Sequence, residues 1–443
     1  MSSDISRATL DDVKDVDFTV STVGKPTMSS PVAHVDFIGP DERISYLSKV
    51  SEIEKCAERG VPIPGFEPAG PREMIYHDPA WTRAAIVNCG GLCPGLNDVI
   101  KAIVTTLWNQ YGVRNIFGIR YGYRGLVPSY KLDPIQLTPD VVDLIHEEGG
   151  SLLGSSRGYQ PEEEIVKTLV RLQINILFTI GGDGTQRGAR DIARVIQEQG
   201  APISVIGIPK TIDNDISFMD RTFGYETAVY AAAPVIASAH NEAKGVFNGI
   251  GLVKLMGRES GFIAAAASLA NSVANFVLIP EDPFKLEGKK GLLRAIERRL
   301  EISDHIVIVV AEGAGQELMK HEDVGQDPSG NNHLKDIGLF LKEKISAYLA
   351  ERKIDYSIKY FDPSYLVRSV PARGTDAIFC LMLGTHAAHA GMAGKTAMVV
   401  GHWNGQFTHV PVDLAVMERR KINPSGALWK AVLGSTQQHQ YFD

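Results

Sequence analysis

A chain of 443 residues is long enough for two or three domains that each bury a core of their own. With 44% hydrophobic and 22% charged residues it has the balance of a globular protein, which excludes global disorder. A formal net charge of −7 argues against non-specific nucleic-acid binding, so any anionic ligand has to be met by Lys and Arg placed locally.

Met1-Ser2-Ser3-Asp4-Ile5-Ser6 carries no apolar core of a signal peptide, and no uncharged apolar run reaches membrane-spanning length, so neither secretion nor membrane insertion is expected. The four cysteines, Cys56, Cys89, Cys93 and Cys380, are too few for a disulfide framework and predict a reducing, cytoplasmic compartment. Cys89 and Cys93 have no companion Cys/His pair at metal-ligand spacing and read as small residues packed around a turn. Residues 1–80, rich in Asp, Ser and Pro, read as an N-terminal extension: an extended arm lying across the main body or a neighbouring subunit.

From Arg83 the pattern becomes alternating strand and helix. Ala84 to Val87 reads as a strand and Asp98 to Asn109 as a helix; Asn115 to Ile119 is strand-like, and Pro161 opens a helix whose first turn is acidic. Ile174 to Thr179 and Ile203 to Ile208 read as buried strands, with a helix from about Gln186 to Gln199 between them. Leu252 to Leu255, Phe276 to Ile279, Ile306 to Val310 and Met398 to Val400 are further short apolar runs. Segments such as Tyr225 to Asn241 and Leu334 to Arg352 are long enough for crossover helices. The alternation predicts a mostly parallel α/β architecture.

The chemistry lies in the loops after these strands, which line the ligand crevice of an open α/β sheet. Gly90-Gly91-Leu92-Cys93-Pro94-Gly95 enters a helix and suits backbone contact with an anion. Residues 149–158 form another glycine-rich turn, ending in Arg157 and Gly158. Gly181-Gly182-Asp183-Gly184-Thr185 and Pro209-Lys210-Thr211-Ile212-Asp213-Asn214-Asp215 supply three carboxylates beside glycines, a pattern suited to Mg²⁺, phosphates and a proton to be removed. Met256-Gly257-Arg258 and the acidic turn at Glu312-Gly313 end two later strands. Residues 359–368 add Lys359, Tyr365 and Arg368, suited to a sugar phosphate. Each has a plainer reading, a capping Asp, a turn or a solvated Arg. Gly394-Lys395-Thr396 is a turn entering a strand rather than a phosphate loop, because His389 stands where the first glycine would be.

In this order the motifs resemble the 6-phosphofructokinase family, from about Ala69 to at least His409. The resemblance implies two doubly wound, mostly parallel-sheet domains with an active-site cleft between them, plus the N-terminal extension. The domains expected are a nucleotide-binding one of residues 81–224 and 367–418 and a sugar-phosphate one of residues 225–366 and 419–443. It implies Asp213 as the base for the 1-hydroxyl of fructose 6-phosphate, with Thr211 holding that end of the sugar and the transferring phosphoryl group and Arg258 also in the catalytic set. Asp183 would ligate Mg²⁺ with Asp215 in support. Gly90, Arg157, Gly158, Gly182, Gly184 and Thr185 would meet the nucleotide. Ile212, Met256, Gly257, Arg258, Glu312, Lys359, Tyr365, Leu366, Val367 and Arg368 would meet the sugar phosphate.

Gly184 and Lys210 bear on the donor. Pyrophosphate-using relatives usually carry Asp at the position of Gly184, where it fills the space for the nucleotide α-phosphate, whereas Lys210 is the residue typical of those enzymes. The combination resembles the ATP-dependent branch found in plants, trypanosomes and some bacteria, built on the pyrophosphate-type scaffold, and ATP is the expected donor. The implied activity is the glycolytic phosphorylation of fructose 6-phosphate by a cytoplasmic, allosteric homo-oligomer, a tetramer or dimer. Gly249 replaces an arginine that in many bacterial relatives reaches a neighbouring subunit's sugar phosphate, so that contact and the bacterial effector site are not carried over. Pyrophosphate dependence is the alternative. NAD and lipid kinases share Gly-Gly-Asp-Gly-Thr but leave the other motifs unexplained, and a non-catalytic subunit would be expected to lose a carboxylate that this chain keeps.

Overall fold

The computed structural model describes residues 8–319, 325 and 333–442; Met1 to Ser6, read above for a leader segment, lies outside them. The chain forms two compact units, one of Met1–Thr211, Ile216–Gly224 and Ser369–Arg419, the other of Ile212–Asp215, Tyr225–Arg368 and Arg420–Asp443.

The first unit is built on the strands Ile176–Gly181 and Ser204–Pro209, buried at every position as central parallel strands covered on both faces must be. They sit inside a nine-stranded sheet, running from Ile44–Ser45 through Gly65–Pro68, Gln406–Pro411, Met398–Trp403, Ser204–Pro209, Ile176–Gly181, Arg83–Asn88 and Asn115–Ile119 to Ile135–Gln136. The strands from Met398–Trp403 to Asn115–Ile119 are parallel, and the outer ones add on antiparallel. Gly181 pairs with Pro209 and Asn88 with Ile180, so the loops beginning at Cys89, Gly182 and Lys210 leave the same edge of the sheet. One face is covered by the helices Glu162–Arg171 and Asp183–Glu198 through Ile165, Leu169, Ile192 and Ile196. Against Phe178, which points to the other face, lies Gly391 of the helix Thr375–Met392.

Two expectations change here. Residues 1–80 do not form only an arm: Val50–Arg59 is helical, and Ile44–Ser45 and Gly65–Pro68 extend the large sheet. Tyr46 stacks on Trp403 at 4.9 Å, and Phe66, Leu10 and Val13 share a core with Ile216, Phe218 and Met219. The prolines misled because they stand at or outside the ends of the paired stretch: Pro68 is the last residue of Gly65–Pro68, beyond its pairing with Ile44–Ser45, and Pro62 and Pro64 precede the strand. The second change is that the helix expected from Gln186 begins at Asp183, with Gly182 as its N-cap accepting from the Thr185 and Gln186 N–H groups at 2.9 and 3.0 Å. Gly184 in the first turn had disguised it, since glycine disfavours helix.

The second unit has a four-stranded, wholly parallel sheet ordered Phe276–Leu278, His305–Ala311, Gly249–Leu255, Ser357–Phe361. Its core includes Ile250, Leu252, Ile306, Ile308 and Val310, packed against Leu292, Ile296, Leu341 and Ile345 of the helices Leu292–Leu300 and Ile337–Glu351. Among the described residues no helix is long and apolar enough to cross a membrane.

Candidate active site

In the first unit, three strand-end loops are tied together by main-chain and buried side-chain bonds. Gly90, at φ +89°, donates its N–H to Ser156 O at 2.9 Å and accepts from Ser155 Oγ at 2.7 Å, which sets Gly90 beside the turn carrying Arg157 and Gly158. Lys210 N donates to Gly181 O at 3.0 Å, while its buried ammonium donates to Gly91 O at 2.7 Å. Gln186 donates to both Gly181 O and Ile208 O, at 2.9 and 3.0 Å, clamping the ends of the two central strands. Thr222 Oγ1 donates to Thr211 O at 2.9 Å, fixing the exit of the Lys210-Thr211 segment. Gly90, Gly182, Gly184, Thr185 and Lys210 are thus brought to one sheet edge, with Arg157 exposed beside them.

Asp183 stands at the first position of its helix, where a carboxylate is favoured by the helix dipole. Arg187, one turn on, donates from Nε to both carboxylate oxygens at 3.2 and 3.1 Å, and Arg419 Nη2 lies 3.7 Å from one of them. A Cβ built on Gly184 meets nothing within 4 Å, so the space over that turn is open to a ligand. One carboxylate, an open turn and outward-facing backbone fit a Mg²⁺ held mainly by phosphate oxygens and water, the ion's usual arrangement.

In the second unit the Ile212–Asp215 segment is anchored by Ser260 Oγ, which donates to Asp213 O at 3.0 Å, and by Arg420 N, which donates to Asp215 O at 2.9 Å. Ser260 belongs to the loop that carries Met256, Gly257 and Arg258. That loop meets the Glu312 turn closely: Glu312 N donates to Leu255 O at 2.9 Å, and a Cβ on Gly313 would fall 1.8 Å from Arg258 O, so only glycine fits after Glu312. Burial pushes the Glu312 carboxyl up, opposed by the charges of Arg258 and Lys254. Lys254 pairs with Asp336 at 2.8 Å and Asp362 at 2.9 Å, joining the strand before Arg258 to the Lys359 strand end. The Arg368 guanidinium lies 4.6 Å from the Tyr365 ring centroid. Tyr365, Leu366 and Lys359 are exposed, whereas the Val367 and Ile212 side chains are buried, leaving those two residues their backbone for any ligand. Gly249 has no room for a side chain: a Cβ there would meet Ala243 O at 1.9 Å.

The sequence reading missed Arg187, Gln186 and Lys254. The first two were legible only with the helix starting at Asp183, which puts Arg187 one turn after the carboxylate. Lys254 lies inside an apolar strand, and its partners Asp336 and Asp362 are distant in sequence.

The phosphofructokinase family model matches residues 83–391, most of the chain. The chain is 46% identical over 437 residues to the ATP-dependent 6-phosphofructokinase of Borreliella burgdorferi, covering 96% of this chain and 97% of that protein. It is 46% identical to the ATP-dependent 6-phosphofructokinase of Trypanosoma cruzi (83% and 75% covered) and 44% identical to ATP-dependent 6-phosphofructokinase 7 of Arabidopsis thaliana (88% and 79% covered). The crystal structure of pyrophosphate-dependent phosphofructokinase from Marinobacter aquaeolei shares the fold, with a TM-score of 0.65 at 20% identity over 80% of this chain and 91% of that one. The fold and the loops define a sugar-phosphate kinase scaffold of the open α/β kind. The chain belongs to the phosphofructokinase family.

Proposed function

We propose that the chain is an ATP-dependent 6-phosphofructokinase, transferring the γ-phosphoryl group of ATP to the 1-hydroxyl of fructose 6-phosphate to give fructose 1,6-bisphosphate and ADP. Glycolysis is the setting, the cytoplasm the compartment and a homo-oligomer the working form. The observation that carries the choice of donor is the open space above Gly184, which leaves room for a nucleotide α-phosphate.

Asp213 takes the proton from the sugar 1-hydroxyl, whose oxygen then attacks the γ-phosphorus. The bond from that phosphorus to the β–γ bridging oxygen breaks and its electron pair leaves with ADP. The Ser260 bond to the Asp213 carbonyl fixes the backbone that presents this base. Arg258 meets negative charge with its guanidinium, and Glu312 accepts from sugar hydroxyls, its backbone pinned to Leu255. Thr211 holds the acceptor end of the sugar; Tyr365 and Arg368 bind the 6-phosphate, with Lys359 nearby. On the donor side, the glycine turns at Gly90 and Gly182–Thr185 let phosphate oxygens approach the backbone, and Arg157 adds charge. Asp183 would hold Mg²⁺, with Asp215 in support; when bound, the ion neutralises charge building on the β- and γ-phosphates.

Lys210 favours a second reading, pyrophosphate as donor, because its ammonium stands at the phosphate-loop edge. Initial rates with each donor and fructose 6-phosphate separate the two. Turnover with ATP is expected, and turnover with pyrophosphate alone would reverse the assignment.

A further inference from the structure

Arg187 touches both the Asp183 carboxylate and the chain after the helix Val412–Ala415. Its Nε donates to both carboxylate oxygens, at 3.2 and 3.1 Å, and its Nη2 donates to Val416 O at 2.8 Å. That carbonyl belongs to a stretch fixed in turn to the residues after Asp215, since Ser217 Oγ donates to Glu418 O at 2.8 Å and Ile216 bridges to Arg419. The guanidinium is therefore spread between a carboxylate and a braced carbonyl, which sets the rotation of the Asp183 side chain. Simple charge pairing would not need the second bond.

We propose that Arg187 is a positioning residue for the donor metal: by spanning Asp183 and Val416 it aims the carboxylate's remaining lone pairs at the cation. The inference rests on the reading of Asp183 as a Mg²⁺ ligand. Two effects of Arg187 oppose one another. Its positive charge disfavours a nearby cation, but the side chain is 45% exposed and solvent screens much of that repulsion. Partners that orient a metal-ligating carboxylate typically change metal affinity or activity by about 10–100-fold, so orientation outweighs charge and removal of Arg187 weakens the metal.

The test measures binding of Mn²⁺, standing in for Mg²⁺, with the β,γ-imido analogue of ATP, by enhancement of water-proton relaxation in the full-length protein. Wild type, Asp183→Asn, Arg187→Ala and Arg187→Lys are compared, with fructose 6-phosphate binding and the melting temperature as fold controls. The expected result is loss of binding in Asp183→Asn and weakening by about tenfold or more in both Arg187 variants, with sugar-phosphate affinity unchanged. Lysine keeps the charge but cannot span both acceptors. Wild-type affinity in Arg187→Ala, or full restoration by lysine, would overturn the proposal. Undiminished binding in Asp183→Asn, or none in wild type, would instead remove the Asp183 reading beneath it, and the inference with it.

Discussion

Lys210 donates its ammonium to the carbonyl oxygen of Gly91 at 2.7 Å, so the residue that follows one central strand holds the glycine loop that follows another. Because a Cβ on Gly90 would lie 3.1 Å from that Nζ, the loop and the lysine are fitted to each other. Lys210→Met leaves the Gly91 carbonyl without this bond at a half-buried place, which costs about 1 kcal/mol. A fall in melting temperature with a raised KM for ATP is expected. An unchanged protein would show that the bond has no part in shaping the donor loop.

Gly184→Asp separates donor choice from folding. A Cβ added there meets no neighbour, and the wild-type backbone there is ordinary helix, so the melting temperature should hardly move. Use of ATP should weaken selectively as the carboxylate fills the α-phosphate space. Unchanged kcat/KM for ATP in this variant would show the steric argument to be wrong.

Asp213→Asn keeps the shape and the Ser260 bond to the backbone while removing the base. General-base assistance contributes about 10²–10⁴-fold, and kcat should fall by that order with fructose 6-phosphate binding largely retained. A loss below about tenfold would rule out Asp213 as the base.

Acid should loosen the first unit. Burial pushes His386 down to about 3 and His77, His389 and His409 down to about 4. These depressed values mean that between about pH 6.5 and 4 the unfolded chain binds more protons than the folded one, so stability falls as pH falls through that window. Glu67 acts lower: burial opposes its ionisation, but hydrogen bonds to His409 and Lys395 hold its carboxyl down to about 2, so its contribution fades only below the ordinary carboxylate range. Melting temperatures between pH 7.5 and 4.5 should drop steeply, and His386→Phe should flatten the slope. A flat profile in the wild type would mean these imidazoles are not held neutral.

The strands, the parallel pattern and the acidic loops could be read from apolar runs ending in glycine and aspartate, because central strands are buried on both faces and say so in every residue. The part played by residues 1–80 could not. Tyr46 and Phe66 reveal their purpose only beside Trp403 and Phe218, both far away in sequence. The start of the Asp183 helix was hidden by a glycine whose value lies in the space it leaves. The Lys254 cluster, likewise, exists only once strands distant in sequence lie side by side.

The central claim is phosphoryl transfer from ATP to fructose 6-phosphate, and the direct measurement is formation of fructose 1,6-bisphosphate by the purified chain with Mg²⁺, comparing ATP with pyrophosphate at matched concentration. Product with ATP and little or none with pyrophosphate is the predicted result. Product with pyrophosphate alone, or with neither donor, would contradict it.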